Sequence, residues 1–430
     1  MADVAVRRSA LANGLPVVVV PQPHLHRAHV ALWVRIGSRF ETPKTNGLSH
    51  FLEHMLYRGT ASLADAHSVN LAFERVGGYL HAVTHTDNGV FSVTLPPDNL
   101  EEVMTLFSEV LLAPSFPDLD IEKGIVCEEI LEDLDDEGRQ VDADNLSRAL
   151  IYPTHPLGYT ITGDEARVRS FTVPMLREHH DRHYVASGSV LVVAGAVEPE
   201  RAEALAARAF GAMPRGARVP TAAPTHAQKR ARLKVVPNAS SQTELRVCLR
   251  AIPETDPAQG ALDVLMRVID DGMSTRLYHR ICDAQGLCYD VSAGYDGYED
   301  DGVVDFAAGV QHARTARVTS EILGLVEELA REGPTDDELD KVKRRVAWEL
   351  SAVRDAPEDL ATFFGMAGLL GEEDSPGARE ARVRAVTKDD VVAVARRIAR
   401  PERLNVVAVG MLEKDDEAKL GDVVRGWRGV

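Results

Sequence analysis

The chain has 430 residues, too many for one ordinary domain, and its 45% apolar and 27% charged residues are typical of a globular protein. Its 66 aspartates and glutamates outnumber its 48 lysines and arginines, which gives a formal net charge of −18. Because nucleic acid requires a basic surface, and no basic block interrupts this acidic excess, we do not expect a nucleic-acid partner.

The N-terminal segment 1–8 lacks the apolar core of a secretory signal peptide. Apolar runs such as Val17–Val20 and Val190–Val197 are far shorter than a membrane span. The four cysteines are Cys127, Cys248, Cys282 and Cys288. They show no C-x-x-C spacing, which argues against a thiolate metal site or a disulfide framework. These features predict a cytoplasmic protein that has no contact with a membrane.

Strand patterns open the chain. The run Val17–Val20 follows an Asn13-Gly14 turn, and Ala28–Ile36 forms a second apolar run. Leu100–Leu112 then has the periodicity of an amphipathic helix. This mixture of strands and helices predicts an α+β architecture.

Between these elements, a helix is predicted to begin between Asn46 and Ser49. At about 100° per residue, His50 and His54 lie about 40° apart on one side of it, with Glu53 beside them. Imidazoles at positions i and i+4 can bind one divalent cation, and a carboxylate between them can activate water. The spacing H-x-x-E-H is the inverted zinc-peptidase motif, although two histidines and a glutamate also occur by chance on an exposed helical face.

A second acidic helix is predicted around Glu122–Ile130. Glu122 and Glu129 are two helical turns apart and share a face, whereas Glu128 points about 100° away. Each of these glutamates could be an ordinary exposed residue or a metal ligand, and the spacing alone leaves both possibilities open.

The chain also contains an internal repeat. Ala166–Thr172 recurs as Ala381–Thr387, at an offset of 215, and Leu191–Val197 recurs as Asn405–Met411, at an offset of 214. Ordered matches at nearly equal offsets indicate duplication of a whole domain. The predicted elements of the second half are strands Leu233–Val236 and Thr243–Leu249, helix Thr319–Arg331 and a strand near Val406, which corresponds to one near Val190 in the first half.

The composition between the two repeats marks a boundary. Residues 213–226 are rich in proline, glycine and small side chains, a composition that suits a linker. We therefore predict an N-terminal domain over 1–212, a linker over 213–226 and a homologous C-terminal domain over 227–430.

The segment GLSHFLEHMLYRGT (47–60) resembles the active-site helix of the pitrilysin/insulinase family, whose smaller members include mitochondrial processing peptidase. That family has a glutamate ligand about 75 residues after its second histidine, in a pattern close to E-x-x-x-V-x-x-E-E-I. The resemblance implies that His50, His54 and Glu129 bind zinc. It also implies that Glu122 orients a ligand histidine from outside the ligand set. Two similar α/β-sandwich halves follow from it, each a mainly antiparallel sheet covered by helices, with zinc only in the first.

The chain departs from this family at a segment that usually reads N-A-x-T, on an edge strand that pairs with the bound peptide. Here His81-Ala82-Val83-Thr84 has histidine for asparagine, and a usual later threonine is Gly89. Backbone pairing with a peptide tolerates both changes. His81 is then either a substrate contact or an ordinary strand residue.

A second departure lies in the family pattern R-L-x-x-x-[LI]-R-E-x-x-G-L-x-Y, whose later arginine and tyrosine hold substrate. Tyr289 matches the tyrosine, but Cys282 replaces the arginine and supplies neither its charge nor its planar fork of donors. Three explanations are open. A partner chain supplies the pair, which we favour. Alternatively Arg276 or Arg280 substitutes, or the enzyme is slow.

The sequence therefore predicts a zinc-dependent endopeptidase of unfolded peptides, with Glu53 as general base. A homologous partner subunit is expected, with a heterodimer favoured over a homodimer. The main alternative is a noncatalytic core subunit with the same fold, and a hydrolase of nonpeptide substrates is the third.

Overall fold

The computed structural model of the chain describes residues 4–430. Met1–Asp3, part of the segment in which no signal peptide was predicted, lie outside the described residues. The first sheet comprises β1 (Arg7–Ala10), β2 (Pro16–Pro21), β3 (Ala28–Val34), β4 (Leu80–Thr84), β5 (Gly89–Leu95) and β6 (Ser189–Gly195). The second comprises β7 (Arg232–Val236), β8 (Thr243–Arg250), β9 (Cys288–Gly297), β10 (Gly302–Val310) and β11 (Leu404–Val409).

The helices before β7 are α1 (Leu48–Leu56), α2 (Ala66–Arg75), α3 (Leu100–Leu112), α4 (Leu119–Leu131), α5 (Ala143–Ile151), α6 (Glu165–Ser170), α7 (Val173–His183) and α8 (Pro199–Phe210). Those after it are α9 (Gln259–Ile269), α10 (Arg276–Tyr278), α11 (Thr315–Glu332), α12 (Asp336–Ala352), α13 (Pro357–Leu370), α14 (Pro376–Ala385), α15 (Lys388–Ile398) and α16 (Lys414–Gly426). A π-helical turn, His279–Asp283, continues α10. Within residues 4–430 no helix is both long enough and apolar enough to cross a bilayer.

Apart from the additional edge strand β1 of the first sheet, the two sheets repeat one topology. The first has the order β1-β2-β6-β3-β5-β4 and the second the order β7-β11-β8-β10-β9. Each sheet contains one parallel pair, β2 with β6 in the first and β7 with β11 in the second. The other strand pairs are antiparallel. The predicted α+β architecture with two similar, mainly antiparallel halves is therefore confirmed.

The central strands are buried on both faces, which explains their continuous apolar sequences. Every residue of β3 and β6 is buried, as expected where helices cover both sides of a sheet. The edge strand β4 is different, because His81 is exposed and Ala82 and Val83 are only partly buried. The first sheet thus has a solid centre and an accessible edge at β4.

Each compact unit is assembled from separate segments of the chain. The first consists of Met1–Glu132, Tyr159–Ala222 and Glu349–Ala378, and the second of Asp133–Gly158, Ala223–Trp348 and Arg379–Val430. Residues 213–226 carry no helix or strand. The linear division into 1–212, 213–226 and 227–430 remains a prediction about domain organisation.

Helix α13 packs on the first sheet through its apolar face. Phe364 joins Trp33, Val18 and Val192 in one buried cluster. Gly365 is required at this crossing, since a Cβ atom there would lie 2.1 Å from Nε1 of Trp33. Because real Cβ contacts are essentially never so short, any side chain at this position would force the Trp33 ring or the helix to move.

Candidate metal centre

Helix α1 begins at Leu48, within the predicted interval, after Gly47 in the left-handed conformation with φ 93°. A Cβ atom on Gly47 would lie 2.6 Å from the carbonyl oxygen of Thr162, so only glycine fits this approach. No side chain of the N-cap residue bonds the first turn. That role falls to a residue elsewhere in the chain.

The buried carboxylate of Glu41 holds the start of α1. Its oxygens accept hydrogen bonds from the backbone N–H groups of Gly47 (2.8 Å) and Ser49 (2.7 Å) and from the side chain of Asn46 (3.1 Å). Burial raises the pKa of this carboxyl group, against the opposing effect of these hydrogen bonds. Glu41 therefore fixes the position of the helix that carries both histidines.

We expect Glu41→Gln to lower the free energy of unfolding by about 1–3 kcal/mol, because the glutamine amide turns a donor toward buried N–H groups. Chemical denaturation monitored by circular dichroism measures the difference. Glu128→Gln, the same change at an exposed residue, should leave the unfolding free energy unaltered. Equal stability of both variants and the wild type would show that Glu41 does not hold the helix.

Opposite faces of α1 serve the core and the site. Phe51, Leu52, Met55 and Leu56 are fully buried, and this apolar side fixes the rotation of the helix. The other side presents His50 and His54, whose ring centroids lie 4.6 Å apart. Helical spacing alone brings these two imidazoles together, as predicted.

Helix α4 supplies a carboxylate to this pair. Oε1 of Glu129 lies 3.4 Å from Nε2 of His50, and its Oε2 lies 3.6 Å from Nε2 of His54. One donor atom from each of the three residues lies within 4.8 Å of the others. Within residues 4–430 this is the one group of three or more histidine, cysteine or acidic side chains close enough to share an ion. Glu128, the open alternative, is exposed.

Glu122 supports the cluster from outside the three donors. Its Oε1 lies 2.8 Å from Nδ1 of His54, and its Oε2 lies 3.3 Å from Nη1 of Arg58. This contact leaves Nε2 of His54 directed at Glu129, the usual arrangement of a histidine that binds metal. Burial lowers the pKa of His54, but the hydrogen bond and charge of Glu122, together with the charges of Glu129 and Glu53, raise the pKa overall.

His50 has a different environment. Burial, reinforced by the neighbouring His54, lowers its pKa to about 3, so the ring is neutral and can act as a ligand. Its Nδ1 is buried and has no hydrogen-bond partner within residues 4–430. Two imidazoles and one carboxylate match the donor set of catalytic zinc sites. The three residues therefore fit a zinc ion.

Glu53 stands outside the three donors and is tied to the edge strand. The hydroxyl of Thr84, the last residue of β4, donates a short hydrogen bond to Oε2 of Glu53. Burial raises the pKa of Glu53, and the Thr84 hydrogen bond opposes that shift. A carboxylate held beside a potential metal, with its basicity increased by burial, can accept a proton from water.

The residues of the arginine and tyrosine pattern belong to the second unit. Tyr289 is 92% exposed, and Cys282 is half-buried. Arg276 donates to both oxygens of Glu338 at 2.6 Å and to Glu328 at 2.7 Å. Arg280 also donates to Glu328. Both arginines are thus held in ion pairs within their own unit.

Sequence reasoning missed Glu41 and did not identify Thr84 as the hydrogen-bond partner of Glu53. No spacing rule links Glu41 to α1, because the carboxylate reaches back through a loop. Thr84 was noticed only within the His81–Thr84 segment. The alternation of a strand places Thr84 on the side of α1, while His81 and Val83 line a groove of about 340 Å³ on the other face with His29 and Glu358.

Comparison with known proteins identifies the family. Residues 17–165 match the profile of insulinase (peptidase family M16), and residues 170–346 match that of the peptidase M16 inactive domain. A Mycobacterium leprae protein named as an uncharacterized zinc protease is 30% identical over 341 residues, covering 77% of this chain and 75% of that protein. A similarly named Streptomyces coelicolor protein is 27% identical over 97% of this chain and 92% of its own length. The mitochondrial-processing peptidase subunit beta of Dictyostelium discoideum is 25% identical over 97% of this chain and 91% of its own length.

Solved structures share the fold. A protease from Helicobacter pylori superimposes with a TM-score of 0.89 at 22% identity, covering 95% of this chain and 100% of that one. A peptidase M16 inactive domain from Pseudomonas fluorescens superimposes with a TM-score of 0.87 at 23% identity, covering 95% of this chain and 99% of that one. The resemblance that began with residues 47–60 is confirmed over most of the chain, which belongs to the insulinase family of peptidases, family M16.

Proposed function

We propose that this chain is a zinc-dependent endopeptidase in which His50, His54 and Glu129 bind the metal and Glu53 is the general base. The observation that carries the proposal is that the three donors converge while Glu53, on the same helix, stays outside them and bonds Thr84. The zinc-protease names of several relatives support it.

A bound zinc ion would polarise a carbonyl group and acidify water at this site. Glu53 would take the proton of the attacking water and pass it to the leaving amine. Glu122 holds His54 through Nδ1, so that imidazole stays oriented during the reaction. The apolar side of α1 excludes water from behind the site.

The position of β4 supports an extended peptide as the substrate. It is the last strand of its sheet, and Thr84 at its end contacts Glu53. A peptide that adds to this edge through backbone hydrogen bonds would pass next to the base. Only unfolded or locally extended segments can add in this way, so folded proteins would be poor substrates.

A second, homologous subunit is part of the proposal. Cys282 stands where related enzymes have an arginine, and Arg276 and Arg280 are held by Glu328 and Glu338. The relative from Dictyostelium discoideum is named as a subunit, which supports a two-chain assembly. We favour a heterodimer in which the partner supplies the arginine and tyrosine, and a homodimer is the alternative. The cytoplasmic location remains a prediction.

Zinc affinity tests the ligand assignment. We expect Glu129→Gln to weaken zinc binding by about 100-fold or more, since loss of an outer partner alone typically costs about 10–100-fold. The loss of zinc affinity in Glu122→Gln should lie in that smaller range, about 10–100-fold. Competition with a chelating dye measures the constants, and Glu128→Gln is the matched control that should bind zinc normally. Full affinity in Glu129→Gln with loss in Glu128→Gln would shift the ligand by one residue.

Metal removal tests the activity itself. Cleavage of a quenched unstructured peptide, measured with any required partner subunit present, should disappear after zinc is stripped by a chelator and return when zinc is restored. Each preparation's zinc content is measured alongside. Cleavage that continues at full rate without zinc would refute a zinc-dependent mechanism.

A noncatalytic core subunit is the second candidate. The match of residues 170–346 to a domain described as inactive and the loss of the arginine at Cys282 favour it. The complete donor set in the first unit and the separate Glu53 favour the enzyme. A chain that binds zinc yet cleaves no peptide with any homologous partner would support the core-subunit role.

A further inference from the structure

Two thiols outside the metal centre lie next to each other in the second unit. The Sγ atoms of Cys282 and Cys288 are 3.9 Å apart, and both side chains are partly exposed. A disulfide requires a separation of about 2.0 Å, so the two sulfurs must approach each other by about a further 2 Å for the bond to form. The remaining pair differs, because Cys127 belongs to the first unit and is buried, and the buried Cys248 thiol donates to Asp305.

The fold of the turn brings the two thiols together. The π-helical turn ends at Asp283, and Gly286, three residues later, is left-handed at φ 56°. The N–H of Gly286 donates to the carbonyl of Cys282 (2.8 Å), and the N–H of Leu287 donates to that of Ile281 (2.9 Å). Cys288 then enters β9 and pairs with Val310. The chain therefore reverses direction and returns Cys288 to the side of Cys282.

We propose that Cys282 and Cys288 form a reversible dithiol–disulfide site that is oxidised by low-molecular-weight disulfides. The thiolate of Cys282 attacks one sulfur of the small disulfide and releases one small thiol. The thiolate of Cys288 then attacks the sulfur of Cys282 and releases the second. Two electrons pass to the small disulfide, and the two protein protons end on the two small thiols.

The chemistry of the pair determines how the reaction is observed. Burial raises the pKa of both thiols, that of Cys288 to about 12, so exchange is slow at neutral pH and the assay is run under mildly alkaline conditions. Cys282 replaces the family arginine, and Tyr289 follows Cys288, so the disulfide would fix the turn that carries both positions. This inference does not depend on peptidase activity.

Mass spectrometry tests the site on the full chain. The protein is incubated with oxidised glutathione, free thiols are alkylated without reduction, and trypsin releases both cysteines in one peptide, Ile281–Arg314. We expect that peptide to lose two hydrogens, to carry neither alkyl group nor glutathione, and to recover its thiols on reduction. Cys282→Ser and Cys288→Ser should prevent this change, and Cys248→Ser should not.

Repeating the reaction in urea shows whether the fold, or only the short separation of the two cysteines in the sequence, brings the thiols together. Across a series of glutathione redox buffers, the effective concentration of the two thiols should be roughly tenfold or more higher in the folded chain than in the unfolded one. A folded chain that keeps both thiols, or only accumulates separate glutathione adducts, would overturn the proposal. So would an equal effective concentration in the folded and unfolded chains.

Discussion

The Glu53→Gln variant should keep its zinc and lose about 10²–10⁴-fold in peptide cleavage, the contribution typical of a general base. Glutamine has nearly the shape of glutamate and can still accept from the Thr84 hydroxyl, but it cannot take a proton from water. Zinc is retained because Glu53 stands outside the donors His50, His54 and Glu129.

The measurement is kcat/KM on a quenched peptide together with zinc content per chain. Glu128→Gln is the control, since it makes the same chemical change at an exposed residue next to Glu129, the proposed ligand. A Glu53→Gln enzyme within a factor of a few of the wild type would refute the assignment of Glu53 as the base. Loss of zinc in that variant would make Glu53 a ligand instead.

The purified chain alone should cleave peptides poorly, although it carries all three proposed zinc ligands. Addition of a related subunit with an intact arginine and tyrosine should raise the rate by about 10²–10³-fold, the typical value of one transition-state contact. The physical reason is Cys282, whose thiol carries no permanent charge and offers no fork of donors to the substrate carbonyl.

Cleavage by the lone chain and by the mixed pair, at equal zinc content, is the comparison that decides this point. Cys282→Arg is expected to recover part of the activity if two copies pair. A lone chain that works at full speed, with no gain from a partner, would contradict the divided site. Arg276→Ala and Arg280→Ala would then show whether either arginine leaves its ion pair with Glu328 to act on substrate.

Local patterns predicted several of the elements, because apolar periodicity reports the buried face of a helix or strand. Helix Leu100–Leu112 was predicted and is observed with the same bounds. The predicted helix Thr319–Arg331 begins four residues earlier, at Thr315. The reason is that Thr315 and Thr319 are buried and the Thr319 hydroxyl donates to the Thr315 carbonyl, so two core positions look polar in the sequence.

Such local patterns do not predict the packing of distant segments against each other. Periodicity does not say which sheet a helix covers, so nothing in the sequence placed 349–378 in the first unit or 133–158 in the second. By contrast, the i to i+4 spacing was enough to predict that His50 and His54 lie on the same side of one helical turn. The carboxylate of Glu41, which holds the start of that helix, reaches it through tertiary contacts that no spacing encodes.

The most direct test of the central claim is a crystal structure of the zinc-loaded chain with anomalous data at the zinc absorption edge. The predicted result is one strong peak about 2.0–2.2 Å from Nε2 of His50, Nε2 of His54 and the carboxylate of Glu129, with Glu53 uncoordinated. A structure in which zinc is absent from these three side chains, or in which Glu53 or Glu128 replaces Glu129, would contradict the account.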